Sequence, residues 1–219
     1  MGYNVAIDGP AGAGKSTIAK LLAKEKGYIY VDTGALYRGL AIHFLDKGIR
    51  AEDTKAVIEA VKDADVKIKY EDGIQQIYLN GKNITGRLRS EEVGNMASAT
   101  AKIPEVRAKL LMLQKNLAKE QDVVMDGRDI GTCVLPDADV KIFLTASVRT
   151  RAMRRYEELA AKGESCSLET IEKDITERDE QDMTRKTAPL KKAEDAHLVD
   201  SSDMTIEEVV KAIADLCKG

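Results

Sequence analysis

The chain has 219 residues, with 34 Lys and Arg against 37 Asp and Glu, a formal net charge of −3. Its hydrophobic fraction of 43% argues against wholesale disorder, and its length admits one large domain or a core with a modest insertion. A slightly acidic balance argues against wrapping a polyanion, which needs a net cationic surface, yet leaves room for a local basic pocket.

In chain order, Tyr3 to Ile7 predicts a short strand, followed by a Gly-rich turn at Gly9–Gly14. Ile18, Leu21 and Leu22 then mark one face of a helix that ends at Gly27, and Tyr28–Val31 reads as a second strand. Strand, turn, helix and strand in such a short span make a βαβ unit, hence a parallel sheet covered by helices. Val66–Tyr70 and Ile74–Leu79 are strands joined by a turn at Glu71-Asp72-Gly73, and Asn80-Gly81 is a hairpin signal. Antiparallel hairpins inside a βαβ chain look like an insertion, placed at residues 65–89 between a helix before and a Ser90-capped helix after. The parallel pattern resumes with strands at Asp122–Met125 and Val140–Leu144, with a short last one at Leu198–Val199. Helical periodicity occupies Arg107–Lys119, Ser147–Lys162, Leu168–Gln181 and Ile206–Cys217, the last opening on a capping box from Thr205 to Glu208.

The turn carries the strongest chemical signal. Gly9, Pro10, Ala11, Gly12, Ala13, Gly14, Lys15 and Ser16 fit G-x-x-x-x-G-K-[ST] at every fixed position, and Thr17 follows. Glycines let successive backbone N–H groups face inward as an anion nest, and the helix that follows adds its positive dipole end. Lys15 can reach β- and γ-phosphates, and the Ser16 hydroxyl is the expected Mg²⁺ ligand. The string lies between a strand and a helix, as the motif requires.

Two further strings end strands at the sheet edge where ligands bind in open α/β folds. The first is Asp32 to Arg38, in which Thr33 and Arg38 face an anion or serve as an N-cap and a surface arginine. The second is Asp126-Gly-Arg128-Asp129, in which Arg128 offers a planar donor fork for phosphate and Asp129 accepts from an amine or a hydroxyl. Asp126 also suits a Mg²⁺-side or water-side role. Farther on, Arg149, Arg151, Arg154 and Arg155 crowd one helix start, and Arg178, Asp179, Asp182 and Arg185 the end of the next. Such a helical hairpin is ordinarily a solvated face with i,i+4 pairs such as Glu158–Lys162; the alternative is a mobile cover that closes arginines over a transferring phosphate.

Cys133, Cys166 and Cys217 are far apart and odd in number, and His43 and His197 are isolated, so neither a disulfide framework nor a zinc site is expected. With no signal-peptide pattern and no apolar run of membrane-spanning length, the chain reads as cytosolic. Its aromatic fraction of 4% leaves no sticky patch, so a monomer is expected.

Over essentially its full length the sequence resembles the bacterial-type cytidylate kinases, P-loop nucleoside monophosphate kinases. The strings that carry the resemblance are IDGPAGAGKST at 7–17, VDTGALYR at 31–38, DGRDIGTCVLPDADVKIFL at 126–144 and ERDEQDMTRKTAPL at 177–190. The hairpin insertion is also similar to the enlarged monophosphate-binding region of that family. The resemblance implies a P-loop α/β core over 1–64 and 90–219, the insertion at 65–89, and a helical lid at about 150–185. It implies that Gly9–Thr17 bind ATP and that Thr33, Arg38 and Arg128 surround the acceptor phosphate. Ser98, Arg107 and Asp129 would read cytosine; Tyr37, Arg178 and Asp182 would border the ribose; and Arg185 would lie near the phosphates. Arg151, Arg154 and Arg155 would belong to the lid. Lys15, Arg128 and Arg185 are the catalytic candidates.

The expected reaction is ATP plus CMP or dCMP giving ADP plus CDP or dCDP, with Mg²⁺ accompanying ATP. A phosphate acceptor is already ionised, so no general base is required, and the lack of a catalytic His or Cys is no obstacle. Other acceptors, UMP or a phosphate-free metabolite among them, stay open at this stage. A GTPase-like switch would need an N-K-x-D string, to which Asn80-Gly-Lys82-Asn83 does not conform.

Overall fold

The computed structural model of the protein describes residues 2–161 and 163–217. A five-stranded sheet forms its centre, built from β1 (Asn4–Asp8), β2 (Ile29–Asp32), β6 (Val123–Gly127), β7 (Val140–Thr145) and β8 (His197–Asp200). All neighbours are parallel, in the order β2-β6-β1-β7-β8. Strands buried on both faces need no polar alternation, and Val5, Ala6 and Ile7 are fully buried.

Helix α1 (Lys15–Lys26) ends where Gly27 takes a left-handed conformation with φ 72°. Its buried face is Ile18, Ala19, Leu22 and Ala23. Leu21, assigned to that face by periodicity, is 42% exposed, because the helix packs through the adjacent stripe. Together α1 and α8 (Ile206–Leu216) cover one side of the sheet. The α8 capping box is complete: Glu208 N donates to Thr205 Oγ1 and Thr205 N donates to Glu208 Oε2. The opposite side is covered by α5 (Pro104–Glu120), with proline at its first position, and by a wide helical turn at Ile130–Val134.

Between β2 and β6 the chain builds a second apolar cluster. It contains α2 (Thr33–Asp46), α3 (Thr54–Lys62), α4 (Glu91–Thr100) and the antiparallel sheet β3 (Val66–Glu71), β4 (Ile74–Leu79) and β5 (Lys82–Asn83). Both connections in this sheet are two-residue turns with positive φ at each residue, Asp72-Gly73 and Asn80-Gly81, the geometry that matches strand twist. Glu71, placed in the turn by its sequence, pairs with Ile74 as the last strand residue. The small sheet is fastened to the large one at the end of β2. The Gln75 amide accepts from Asp32 N at 2.9 Å and donates to Asp32 O at 3.1 Å, and the Tyr70 hydroxyl donates to Tyr30 O at 3.0 Å.

Two charge-rich helices, α6 (Val148–Ala161) and α7 (Leu168–Thr184), form a hairpin around a small cluster of Ala152, Ile171 and Ile175. The Glu158–Lys162 pair involves Lys162, which lies outside the described residues; Glu158 pairs with Arg155 at 2.9 Å. Among the described residues no helix is long and apolar enough to cross a membrane.

At the exit of β1, Gly9 passes so close to β7 that a Cβ there would lie 1.9 Å from the Leu144 carbonyl oxygen. A backbone oxygen in a sheet cannot yield, so Gly9→Ala is expected to cost about 3 kcal/mol, the upper end of overpacking penalties. The check is a urea denaturation curve, whose midpoint should fall relative to wild type.

Candidate active site

The C-terminal ends of β1, β2, β6 and β8 open on one cavity of about 690 Å³. Ala11–Thr17 line one end of it, with α1 pointing its first turn inward. Gly12 and Gly14 adopt positive φ values of 74° and 86°, which aim the intervening amides at the cavity. Gly9 and Pro10 stand behind this wall; Pro10 contributes its carbonyl, which accepts from Lys15 Nζ at 2.7 Å. Among the described residues the Lys15 ammonium has no other hydrogen-bond partner. Burial, and then the nearby Arg128 charge, pull its pKa well below the usual lysine range.

The next two strands supply the acidic floor. Asp126 accepts from Ser16 Oγ at 2.8 Å and from the Tyr30 hydroxyl at 2.9 Å, while its backbone carbonyl accepts from Thr33 Oγ1 at 2.7 Å. Burial pushes its carboxyl upward. Thr33 is therefore neither a cap nor free: the cap of α2 is Asp32, whose side chain accepts from Ala35 N. Ser16 and Asp126 present adjacent oxygen ligands beside the cradle. No group of three or more His, Cys, Asp or Glu able to hold an ion exists among the described residues. This donor set fits a hard divalent ion that keeps waters and takes its remaining ligands from phosphate, as Mg²⁺ does.

Opposite the cradle, basic side chains are interleaved with carboxylates. Arg107 pairs with Asp129 and lies over the Tyr37 ring at 5.6 Å. Arg128 Nε donates to Asp182 Oδ2 at 2.8 Å, and Arg185 approaches Asp182 at 3.4 Å and Asp129 at 3.6 Å. Arg178 Nε is buried without a hydrogen-bond partner, and burial, with Arg128 next, lowers the pKa of its guanidinium. Burial raises Asp129 against the opposing pull of Arg107 and Arg185. Tyr37 is pushed up to about 12, chiefly by burial. Arg38, Ser98 and Arg107 line the same end of the cavity.

The four arginines of α6 differ in use, and Arg149 is an exposed one that pairs with Glu172 at 2.9 Å. Arg151 is buried, pairs with Asp179 at 2.6 Å and donates to Ala11 O at 2.8 Å, so it braces the cradle from behind. Arg154 donates to Ser201 Oγ and O, tying α6 to the end of β8. Arg155 is half exposed and held by Glu158. Thr33, Tyr37, Arg38, Ser98, Arg107, Arg128, Asp129, Arg178, Asp182 and Arg185 therefore reach one cavity with Arg151, Arg154 and Arg155, while Arg149 and Asp179 do not line it.

Sequence reasoning passed over others that do so: Asp32, Arg89, and Ser201 with the start of α8. Asp32 ends β2 and Ser201 directly follows β8 of the same parallel sheet, and that position was the available signal. Arg89 sits at the close of the insertion, where no local pattern marks it.

The comparisons with known proteins agree with one another. The family model for cytidylate kinase matches residues 5–219. A cytidylate kinase of Caldicellulosiruptor saccharolyticus is 49% identical over 213 residues, covering 97% of this chain and 94% of the relative. One from Shouchella clausii is 48% identical over 217 residues, covering 99% and 96%. Among solved structures, an uncharacterized protein from Eubacterium ventriosum aligns with a TM-score of 0.54 at 13% identity, over 98% of this chain and 97% of its own, a likeness of fold alone.

Removing Arg151 would leave the Asp179 carboxylate buried with its charge uncompensated. Arg151→Ala is accordingly expected to destabilise the protein by about 3–5 kcal/mol, against well under 1 kcal/mol for Arg155→Ala at the surface. Thermal melts of the two variants side by side provide the measurement.

Proposed function

The chain belongs to the cytidylate kinase family and is a nucleoside monophosphate kinase, and from that premise we propose that it transfers the γ-phosphoryl group of ATP to CMP and to dCMP. The carrying observation is the cavity itself: a phosphate cradle with a buried, otherwise unpaired lysine faces Arg38, Arg128, Arg178 and Arg185 across one continuous space. Two highly charged phosphate ends repel each other, and only a site rich in fixed donors and cations holds them in line.

On this reading the backbone amides of Gly12–Gly14 and Lys15 hold the donor phosphates, the Ala11 amide being turned to Asp179. Arg38 and Arg128 hold the acceptor phosphate beside Thr33, whose hydroxyl is anchored on the Asp126 carbonyl, and the ionised phosphate oxygen attacks without a general base. Arg178 offers its buried donor to the phosphate or sugar of the acceptor, beside Asp182 and Tyr37. Arg185 and Arg128 neutralise charge that spreads over the transferring group, and α6 and α7 (about 150–185) exclude water as a cover. Residues 65–89 enlarge the acceptor side of the core. Ser16 and Asp126 are the groups that would hold Mg²⁺, which when bound would supply neutralisation of phosphate charge.

For the base, Asp129 accepts from the cytosine N4 amine, while Arg107 and Ser98 donate to N3 or O2. Uracil carries an acceptor at position 4 and a donor at N3, the reverse of cytosine, while O2 accepts in both, so it leaves buried groups of the site unpaired.

A panel of nucleoside monophosphates at saturating Mg·ATP, read by ADP release, tests the substrate class: CMP and dCMP should be the best acceptors, and a preference for UMP would overturn the base assignment. Lys15→Ala and Arg128→Ala should each lower kcat by about 10²–10³-fold with an unchanged circular dichroism spectrum. Near-normal turnover in either removes that residue from the mechanism. Titrating Mg²⁺ back after chelation should restore activity, and Ser16→Ala should shift that titration to higher metal concentration.

A further inference from the structure

Asp8, the last residue of β1, takes no part in the mechanism above, yet its carboxylate is buried and fully used. Ile130 N donates to Oδ1 at 2.8 Å and Gly131 N donates to Oδ2 at 2.7 Å. These amides open the wide helical turn at Ile130–Val134, and the first N–H groups of a helical turn have no acceptor within it. A local cap would come from the side chain of Asp129, the residue before the turn. That side chain makes no capping bond; it is turned toward Arg107 and Arg185 instead. The cap is supplied from β1, across 122 residues of chain.

The consequence falls on Asp129. Its carbonyl accepts from Cys133 N at 2.9 Å and Val134 N at 3.2 Å, and the two amides that follow it are clamped by Asp8. Its backbone is thus fixed from both sides, which frees its carboxylate to face the cavity. We propose that Asp8 is a positioning residue for base recognition, capping in trans the turn that aims Asp129 at the acceptor base. This rests on the base-reading role given to Asp129 above.

Burial lifts the Asp8 carboxyl to about 6, so the charged form is kept in a desolvated place where an apolar residue would pack at no such cost. Two acceptors are what the turn requires. Asparagine keeps the shape but offers one acceptor and sets an NH₂ against a backbone N–H. The clamp can also be disturbed from the other side: a Cβ on Gly131 would lie 3.4 Å from Asp8 Oδ2 and 3.2 Å from Lys141 Cδ.

The experiment compares wild type, Asp8→Asn and Gly131→Ala. It measures kcat and KM for CMP and UMP, calorimetric affinity for a non-hydrolysable ATP analogue, and melting temperature. Asp8→Asn should lower the CMP-to-UMP ratio of kcat/KM by about tenfold, the worth of one misplaced hydrogen-bonding group, mainly through KM for CMP. ATP-analogue affinity should stay within about threefold, since the cradle amides are untouched. Gly131→Ala should move the ratio in the same direction by less. An unchanged ratio in folded Asp8→Asn overturns the proposal, as does an equal loss of affinity for CMP and the ATP analogue, which marks a merely structural role. Should Asp8→Asn fail to fold at the assay temperature, the Gly131→Ala ratio decides. A wild-type enzyme without preference for CMP overturns the proposed function instead, and that is read before either variant.

Discussion

Mutual repulsion among guanidinium groups is the constraint around which this molecule is organised. Arg107, Arg128, Arg178 and Arg185 converge in a single crevice with Lys15 on its far wall. In a place shielded from water such crowding is costly, and the chain offsets it by threading Asp129 and Asp182 between the arginines. The compensation is incomplete by design of the geometry: Arg178 Nε and one terminal nitrogen of Arg185 are buried without hydrogen-bond partners. A polyanion is the ligand that completes such a set, and the carboxylates keep the arms in place without filling the space between them.

The parallel sheet explains how so many charges arrive at one spot without disturbing the core. The strands are largely apolar and turn polar at or near their C-terminal ends, at Asp8, Asp32, Asp126, Thr145 and Asp200. Because the strands run in one direction, those ends share an edge, and the loops that follow face the same crevice. The apolar clusters lie behind them, one around α1 and α8 and another around α2 and the small sheet.

Much of this was legible in the residues because the signals were local. The cradle string is chemically constrained at nearly every position, Asn80-Gly81 dictates its own turn, and Thr205 with Glu208 forms its box within one helical turn. What could not be read depended on partners far along the chain. Leu21 is apolar yet faces solvent because no element packs on that stripe of α1. The α6 arginines looked alike as a charge run, but only Arg151 is buried, since Asp179 lies on a different helix. Asp8 reads as a strand terminus until the turn 122 residues later is laid against it.

The Gln75 side chain, bonded to both the N–H and the carbonyl of Asp32, imitates a neighbouring peptide unit. Through it the small antiparallel sheet has a rigid handle on the last residue of β2, one step from Thr33 and six from Arg38. Any tilt of that sheet is geared directly to the first turns of α2, which carry Thr33 and Arg38 on the cavity wall, as a crank turns a shaft, so substitutions far out on the hairpin will register there.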